Sequence, residues 1–284
     1  MSLAYVIRAH HRPSQLGRLV ERLAGNGVSF HVHVSGITSE ETYADMREAL
    51  DGRRDVEWVD RVKTYYFGWS MVEGTLSGLR SAVARDPGHV VTVSGQDYPL
   101  KPPDEIASRL AAHEGASFVH HYSLPTKAWA REDDGMRRIR YYWLDGMRVR
   151  GRPVRLPFVR RRFPAGLEPY GGSAWVALSG EAARYVLRFV EENPDVVRFF
   201  RNTLIPDELF VQTVLLNSPL RDRIVNEEVH YVDWSADQTS PKTLTVEDFP
   251  VLAASDKLLA RKFDFKEDAA VLDLIDRELL GRSA

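Results

Sequence analysis

The sequence predicts an α/β fold with a mostly parallel central sheet, helices on both faces and an added β-hairpin. Apolar, strand-like runs alternate with amphipathic, helix-like runs from residue 4 to 113, at the spacing of βαβ units. Beyond about residue 117 that rhythm stops, and arginines alternate with aromatic and β-branched residues around turn signals. At 44% hydrophobic residues the 284-residue chain can bury a large core. Without repeats, low-complexity tracts or an evident linker, it reads as one domain over 1–284.

AYVIRAH (4–10) is β-rich and mostly apolar, a buried strand. SQLGRLVERL (14–23) carries Leu16, Leu19, Val20 and Leu23 at helical spacing, with Ser14 as the expected cap. GVSFHVHVSG (27–36) is a second strand, and SEETYADMREAL (39–50) a helix capped by Ser39 with acids in its first turn. DVEWVD (55–60) and HVVTVSG (89–95) are strands; WSMVEGTLSGLRSAV (69–83) and PDEIASRLAAH (103–113) are helices. ASFVHHYSL (116–124) is strand-like, and residues 137–163 predict a hairpin with a cationic, exposed end. GGSAWVALS (171–179) and HYVDWS (230–235) read as strands. The remaining helices are expected over 180–193, 205–217, 246–255 and 269–280.

Several function classes recede at once. Lys and Arg number 38 against 40 Asp and Glu, so nothing global points to nucleic acid or an anionic surface. Cysteine is absent, which excludes disulfides and thiolate metal sites and fits a reducing compartment. The start, MSLAYVIRAHHRP, lacks the plan of a signal peptide, and no apolar run reaches membrane-spanning length. The expectation is a soluble cytoplasmic protein with no integral membrane segment. Neither G-x-G-x-x-G after the first strand nor G-x-x-x-x-G-K-[ST] occurs, against a dinucleotide-binding dehydrogenase and a P-loop enzyme.

Candidate chemistry sits where strands end. In VVTVSGQDYPLK (90–101), Asp97 is either a turn aspartate bonding nearby backbone or a carboxylate facing the ligand crevice of an open sheet. His10 and His11 end the first strand, but adjacent strand residues point to opposite faces and make a poor metal pair, as do His120 and His121. His31 and His33 share a face without a third ligand. Glu132-Asp133-Asp134 reads as a solvated turn. The seven arginines of 148–162 suit phosphate or carboxylate, or a nucleic-acid patch, or simply a solvated hairpin. In TLIPDELFVQT (203–213), Pro206 fits a first helical position, where Asp207 and Glu208 complement the helix dipole. A carboxylate there could equally be a general base.

Taken in order, AHHRP (9–13), FHVHVSG (30–36), WSMVEGTL (69–76), VSGQDYPLK (93–101), YGGSAWVALS (170–179), TLIPDELFVQT (203–213) and ARKFD (260–264) resemble the core-2/I-branching β-1,6-N-acetylglucosaminyltransferases. That family (glycosyltransferase family 14) includes the peptide O-xylosyltransferases. The resemblance implies a GT-A-type, Rossmann-like nucleotide-sugar-binding fold. It implies inverting transfer of GlcNAc or xylose from a UDP-sugar to an acceptor hydroxyl, on a glycan or another molecule, without a divalent metal or other cofactor. Consistent with that, the strand-end slot reads Ser94-Gly95-Gln96-Asp97, not Asp-x-Asp.

The resemblance carries roles residue by residue. Glu208, in Pro-Asp-Glu, is the expected base. Lys262 in ARKFD is expected to bind the donor diphosphate, with Lys242 in QTSPKTL as its nearest companion. Val6, His10 and Ser35 resemble the uridine edge; Trp69, Ser70 and Asp97 resemble the lining of the donor pocket. Asp97, Arg140, Tyr142, Ser173 and Trp175 fall on the acceptor side. Ser35 departs from the family's usual aspartate. A non-catalytic nucleotide-sugar or glycan-binding protein is the alternative. No nucleic-acid partner is expected, while peripheral contact with the inner face of a bacterial membrane is compatible with this reading.

Overall fold

The computed structural model describes residues 2–113, 115–236 and 240–282. Its first half builds the predicted βαβ layer. The strands are β1 (Leu3–Ala9), β2 (Val28–Val34), β3 (Val56–Trp58), β4 (His89–Ser94) and a short β5 (Asp97–Pro99). Between and after them run α1 (Pro13–Leu23), α2 (Glu40–Glu48), α3 (Ser70–Val83) and α4 (Pro103–Ala111). Ser39 caps α2 by accepting from the Thr42 N–H, as expected. α1 instead starts at Pro13 behind a left-handed Arg12 (φ 61), so Ser14 is not its cap.

The second half contributes β6 (Ser117–Phe118), β7 (His121–Ser123), α5 (Met136–Arg140), β8 (Tyr141–Val149), β9 (Arg152–Arg160), β10 (Tyr170–Gly172) and β11 (Ala177–Ser179). There follow α6 (Gly180–Glu192), α7 (Pro194–Arg201), α8 (Phe210–Leu216), β12 (Ile224–Val225), β13 (His230–Val232), α9 (Phe249–Ala254), β14 (Leu259–Arg261) and α10 (Ala270–Glu278). The main sheet has seven strands in the order β12-β6-β11-β4-β1-β2-β3, with β11 alone antiparallel. β8 and β9 form the predicted hairpin, while β13-β14-β5 make a second small sheet.

Three differences from the sequence reading matter for the site. The strand expected over 171–179 is two strands, because the chain leaves β7 at Gly172 and rejoins the main sheet at Ala177. The helix expected over 205–217 begins only at Phe210; Pro206–Glu208 is a separate 3-10 turn entered through a left-handed Ile205 (φ 49). β14 lies where the sequence showed only a motif.

Strand alternation divides the core in two. Leu3, Tyr5 and Ile7 of β1 pack with α1, α4 and α10, whereas Ala4 and Val6 pack with α3, α6 and α8. On the first side the wholly buried Asp276 accepts from Tyr98 Oη (2.7 Å), Arg18 Nη2 (2.8 Å) and Arg22 Nε (2.7 Å). A buried carboxylate is tolerated only with such partners, and here it pins α10 to α1 and β5.

Candidate active site

At its carboxyl end β1 places a charge on the α3 face: Ala4 and Val6 are followed by Arg8. Arg8 is 9% exposed, donates from Nη1 to the Met71 carbonyl (3.2 Å), and faces Asp207 Oδ2 at 3.6 Å. Its guanidinium lies 4.6 Å from the Trp175 ring centroid. Arg261, the last residue of β14, lies over the same ring at 4.1 Å and donates from Nε to Asp97 Oδ1 (3.1 Å). Burial lowers the Arg8 pKa; Asp207 opposes that shift and Arg261 adds to it. Two cations and two carboxylates, Asp207 and Asp97, therefore share a small volume around an indole.

Next to Asp207 on the same 3-10 turn, Glu208 accepts a 2.6 Å hydrogen bond from Arg138 Nη1. Arg138, 4% exposed, also grips Glu132 through Nε (2.7 Å) and Nη2 (2.8 Å), and stacks 3.8 Å from the Trp129 centroid. Glu208 keeps 28% of its side chain open. Burial raises its pKa, Asp207 and Glu132 add to the rise, and Arg138 opposes it. The pair of carboxylates is thus governed by Arg8 and Arg138, not by the dipole of α8, which begins two residues later. Tyr66 joins the group electrostatically. Burial raises its phenol pKa first, then Glu208 and Asp207, while Arg261 and Arg138 pull it down.

Lys262 follows Arg261 and donates to Ser240 Oγ (3.2 Å). Its charge is felt at His11, whose pKa falls through burial, Arg12 and Lys262 while Asp264 opposes the fall. His10 is exposed, with its ring 4.0 Å from that of His11. A bidentate pair, Arg12 Nε to Asp264 Oδ1 (2.7 Å) and Arg12 Nη2 to Asp264 Oδ2 (2.8 Å), staples this edge. The structure thus brings Glu208, Trp175 and Arg261 into one cluster, with Lys262 directly beyond Arg261.

Other expected residues are committed elsewhere. Val6 is wholly buried beneath α3, where a Cβ on Gly78 would come within 2.2 Å of Val6 Cγ1, so it cannot edge a uridine. Trp69 is 1% exposed, bonded through Nε1 to Glu73 (3.1 Å) and edge-on to Phe210 at 5.0 Å; it is core. Ser70 Oγ accepts from Tyr65 N (2.8 Å) and Ser35 Oγ accepts from Thr64 Oγ1 (2.6 Å), each fixing the 61–66 loop. Asp97 does not open to the crevice. It is wholly buried, bonded by Ser94 N (2.8 Å), Ser94 Oγ (2.5 Å) and Arg261, with His230 Nε2 at 3.3 Å. These partners hold its carboxyl below the usual carboxylate range against burial, which acts the other way.

Lys242 pairs with Asp248 at 2.6 Å, so Arg261, not Lys242, is the second cation on the cluster. The first residues of QTSPKTL, Gln238 and Thr239, lie outside the described residues. Ser173 Oγ donates to Glu228 (2.5 Å) and accepts from Trp175 N (3.2 Å), shaping the corner that carries Trp175. Trp175, 9% exposed and covered by guanidinium, supports cations and offers no open stacking face. Arg140 pairs on the surface with Asp133 (2.7 Å), and Tyr142 lies under Arg161 (5.8 Å). Neither contacts the cluster through any bond above. His31 and His33 are structural: His31 Nδ1 meets Ser81 Oγ at 2.7 Å, His33 Nε2 accepts from Val62 N at 3.1 Å, and burial pushes both pKa values down to about 4.

Sequence reasoning missed Arg8, Arg138, Arg261, Tyr66 and Glu132. Arg8 carried a signal, since it is the one charge in an apolar strand and a buried charge demands a partner. Arg138 was hidden in an arginine-rich run. Glu132 sits in an acidic run that the sequence marks as a solvated turn, yet it binds the least exposed arginine of the 137–140 run. Among the described residues no three His, Asp or Glu side chains gather as a metal-holding group.

Comparison with known proteins sets this geometry in a family. The model of the Core-2/I-Branching enzyme family matches residues 3–252. Xylosyltransferase oxt of Drosophila melanogaster is 29% identical over 212 residues, covering 68% of this chain and 23% of the relative. Xylosyltransferase 2 of Rattus norvegicus is 25% identical over 307 residues, 98% of this chain and 34% of that one. Beta-glucuronosyltransferase GlcAT14C of Arabidopsis thaliana is 30% identical over 225 residues, 76% and 56% of the respective lengths. The chain therefore spans a quarter to about half of these curated relatives. The solved apo structure of mouse xyloside xylosyltransferase 1 overlays 91% of this chain and 97% of that one, at 10% identity and a TM-score of 0.41.

Proposed function

Because the chain belongs to the Core-2/I-branching enzyme family, we propose that it is a glycosyltransferase that moves a sugar from a UDP-sugar to an acceptor hydroxyl with inversion, without a divalent metal. The observation that carries this reading is Glu208: a partly open carboxylate, gripped by a buried arginine, beside a cluster of cations.

The step is a single displacement. The acceptor oxygen bonds to the anomeric carbon as that carbon's bond to the diphosphate oxygen breaks. The electron pair leaves with UDP, and the acceptor proton passes to Glu208. A carboxylate whose pKa is raised by burial is a better base than a solvated one, and Arg138 keeps it ionised for the task. Asp207 is the weaker choice, since it faces Arg8 and keeps 14% of its side chain open. The negative charge growing on UDP needs fixed positive charge. Lys262 and Arg261, adjacent on one strand end, supply it by preorganised electrostatics. Asp97 contributes indirectly by holding Arg261 in place.

A hydrolysis and transfer screen against UDP-GlcNAc, UDP-xylose and UDP-glucuronate, with and without EDTA, tests the proposal. The third donor enters because of the plant relative's name. Turnover of at least one donor in EDTA is expected. Inactivity toward all three, or activity only with added Mn²⁺, overturns the corresponding part.

A further inference from the structure

The β8–β9 hairpin takes no part in the site chemistry above, yet its surface combines exposed arginines with exposed apolar side chains. Its tip is the two-residue turn Arg150-Gly151, left-handed at both positions (φ 51 and 76), the geometry that keeps a hairpin's twist. Residues 148–162 contain seven arginines and no acid in a chain whose net charge is −2. Among the described residues none of these seven forms an ion pair with a carboxylate. Arg161 is used internally, donating to the Phe199 and Ile139 carbonyls, and Arg155 lies over Tyr141 at 4.3 Å. Arg150, Arg152, Arg160 and Arg162 are exposed.

Apolar side chains stand among these charges. Phe158 turns its backbone left-handed (φ 64) and is 100% exposed. Met147 (52%), Val149 (61%) and Val159 (41%) are exposed on the same hairpin. A single-stranded nucleic acid would call for a row of open aromatic faces, and on the hairpin itself Phe158 alone is an exposed aromatic ring. Aliphatic and aromatic groups interspersed with unpaired arginines instead match an anionic bilayer, where guanidiniums meet headgroups and apolar side chains enter the acyl boundary.

We propose that this hairpin docks the protein on an anionic phospholipid surface. Its first strand, in the half nearer the tip, is tied to the active-site loop. Asp145 accepts from Trp69 N at 2.9 Å, and Arg148 donates to the Tyr66 carbonyl. Docking would therefore hold the Tyr66 side of the site near the headgroups. On the glycosyl-transfer reading, that favours acceptors carried on lipid; the docking itself does not rest on that reading.

The test is cosedimentation of the full chain with phosphatidylcholine vesicles, with and without roughly one-third phosphatidylglycerol, at two salt concentrations. Binding is expected only with the anionic lipid, weakening as salt rises. Arg150→Glu/Arg152→Glu should reduce it by about tenfold or more, taking on the order of fivefold per basic residue at a membrane surface. Phe158→Asp should also weaken it, with unchanged thermal melts showing that both variants fold. Because no donor or turnover is needed, failure here is separate from failure of the transferase reading. No binding to anionic vesicles, equal binding to neutral ones, unaltered binding by both variants, or retention on duplex or single-stranded DNA in place of vesicles each overturns the proposal.

Discussion

Arg138 reaches Glu208 at 2.6 Å through Nη1 while Nε and Nη2 clasp Glu132 at 2.7 and 2.8 Å. One buried cation thus serves two carboxylates, only one of which stands beside Asp207, Arg8 and Tyr66. Glu132 sets where the guanidinium lies, and the guanidinium sets where Glu208 lies. In Glu208→Gln the shape of the turn survives but the proton acceptor is gone. Turnover should fall about 10²- to 10⁴-fold, with UDP affinity measured by calorimetry unchanged. Turnover near the parent level would remove Glu208 from the chemistry.

The same pair fixes a pH dependence. Glu208 must be ionised to act, and burial already lifts its pKa while Arg138 restrains the lift. Activity should therefore fall on the acid side at a pH above the ordinary glutamate range. Arg138→Met removes the restraint and should move that acid limb of kcat/KM to higher pH; Arg138→Lys should restore part of the displacement. The Met variant also leaves Glu132 and Glu208 without their cation, so a loss of about 3–5 kcal/mol in urea unfolding is expected. A limb that stays fixed would separate Arg138 from the base.

Lys262 tests the cationic end. Lys262→Ala should weaken UDP binding by roughly tenfold, the scale of one charge-assisted contact, and excess EDTA should leave both binding and turnover of the parent protein intact. Unaltered UDP affinity in the variant would assign the diphosphate elsewhere.

Arg12 and Asp264 make a prediction about folding, not catalysis. Their bidentate bond lowers the Asp264 pKa to about 2. A depressed carboxyl stabilises the folded state above its unfolded pKa, and that contribution is lost as pH falls toward the folded value. Asp264→Asn should therefore cost about 1–2 kcal/mol at neutral pH, a difference that shrinks between about pH 4 and 2. Denaturant melts across that window would check it; a constant difference would mean the pair contributes packing alone.

Gly78 tests the reassignment of Val6 to the core. A methyl at Gly78 would sit 2.2 Å from Val6 Cγ1, so Gly78→Ala should lose about 1–3 kcal/mol by overpacking. The double variant Gly78→Ala/Val6→Ala should recover part of that loss in thermal melts, and no recovery would place the clash elsewhere.

The regular half of the fold was legible because its code is local. Apolar periodicity in 4–113 marks β1 to β4 and their helices, with ends within a few residues. The hairpin was legible for the same reason. The site was less so, because its members meet only through long-range packing. Glu208 could be singled out by its motif, but Arg138, its partner, lies 70 residues earlier with nothing local to link them. Asp97, Trp69 and Val6 carried the right motifs and the wrong exposure: a residue type names a chemistry, while burial decides whether a ligand can reach it. Arg261 was visible only as the neighbour of Lys262, since β14 is three residues long and its pairing with β5 spans more than half the chain.

That late strand has a consequence for synthesis. Arg8 and the strand that carries it leave the ribosome long before Arg261 and Lys262, which complete the site from the small β13-β14-β5 sheet. Until then Asp97 has no guanidinium to face, and the indole of Trp175 carries one cation instead of two. A nascent chain halted short of that strand could form its first helices and strands and still be inert, so competence arrives with that strand and not by degrees.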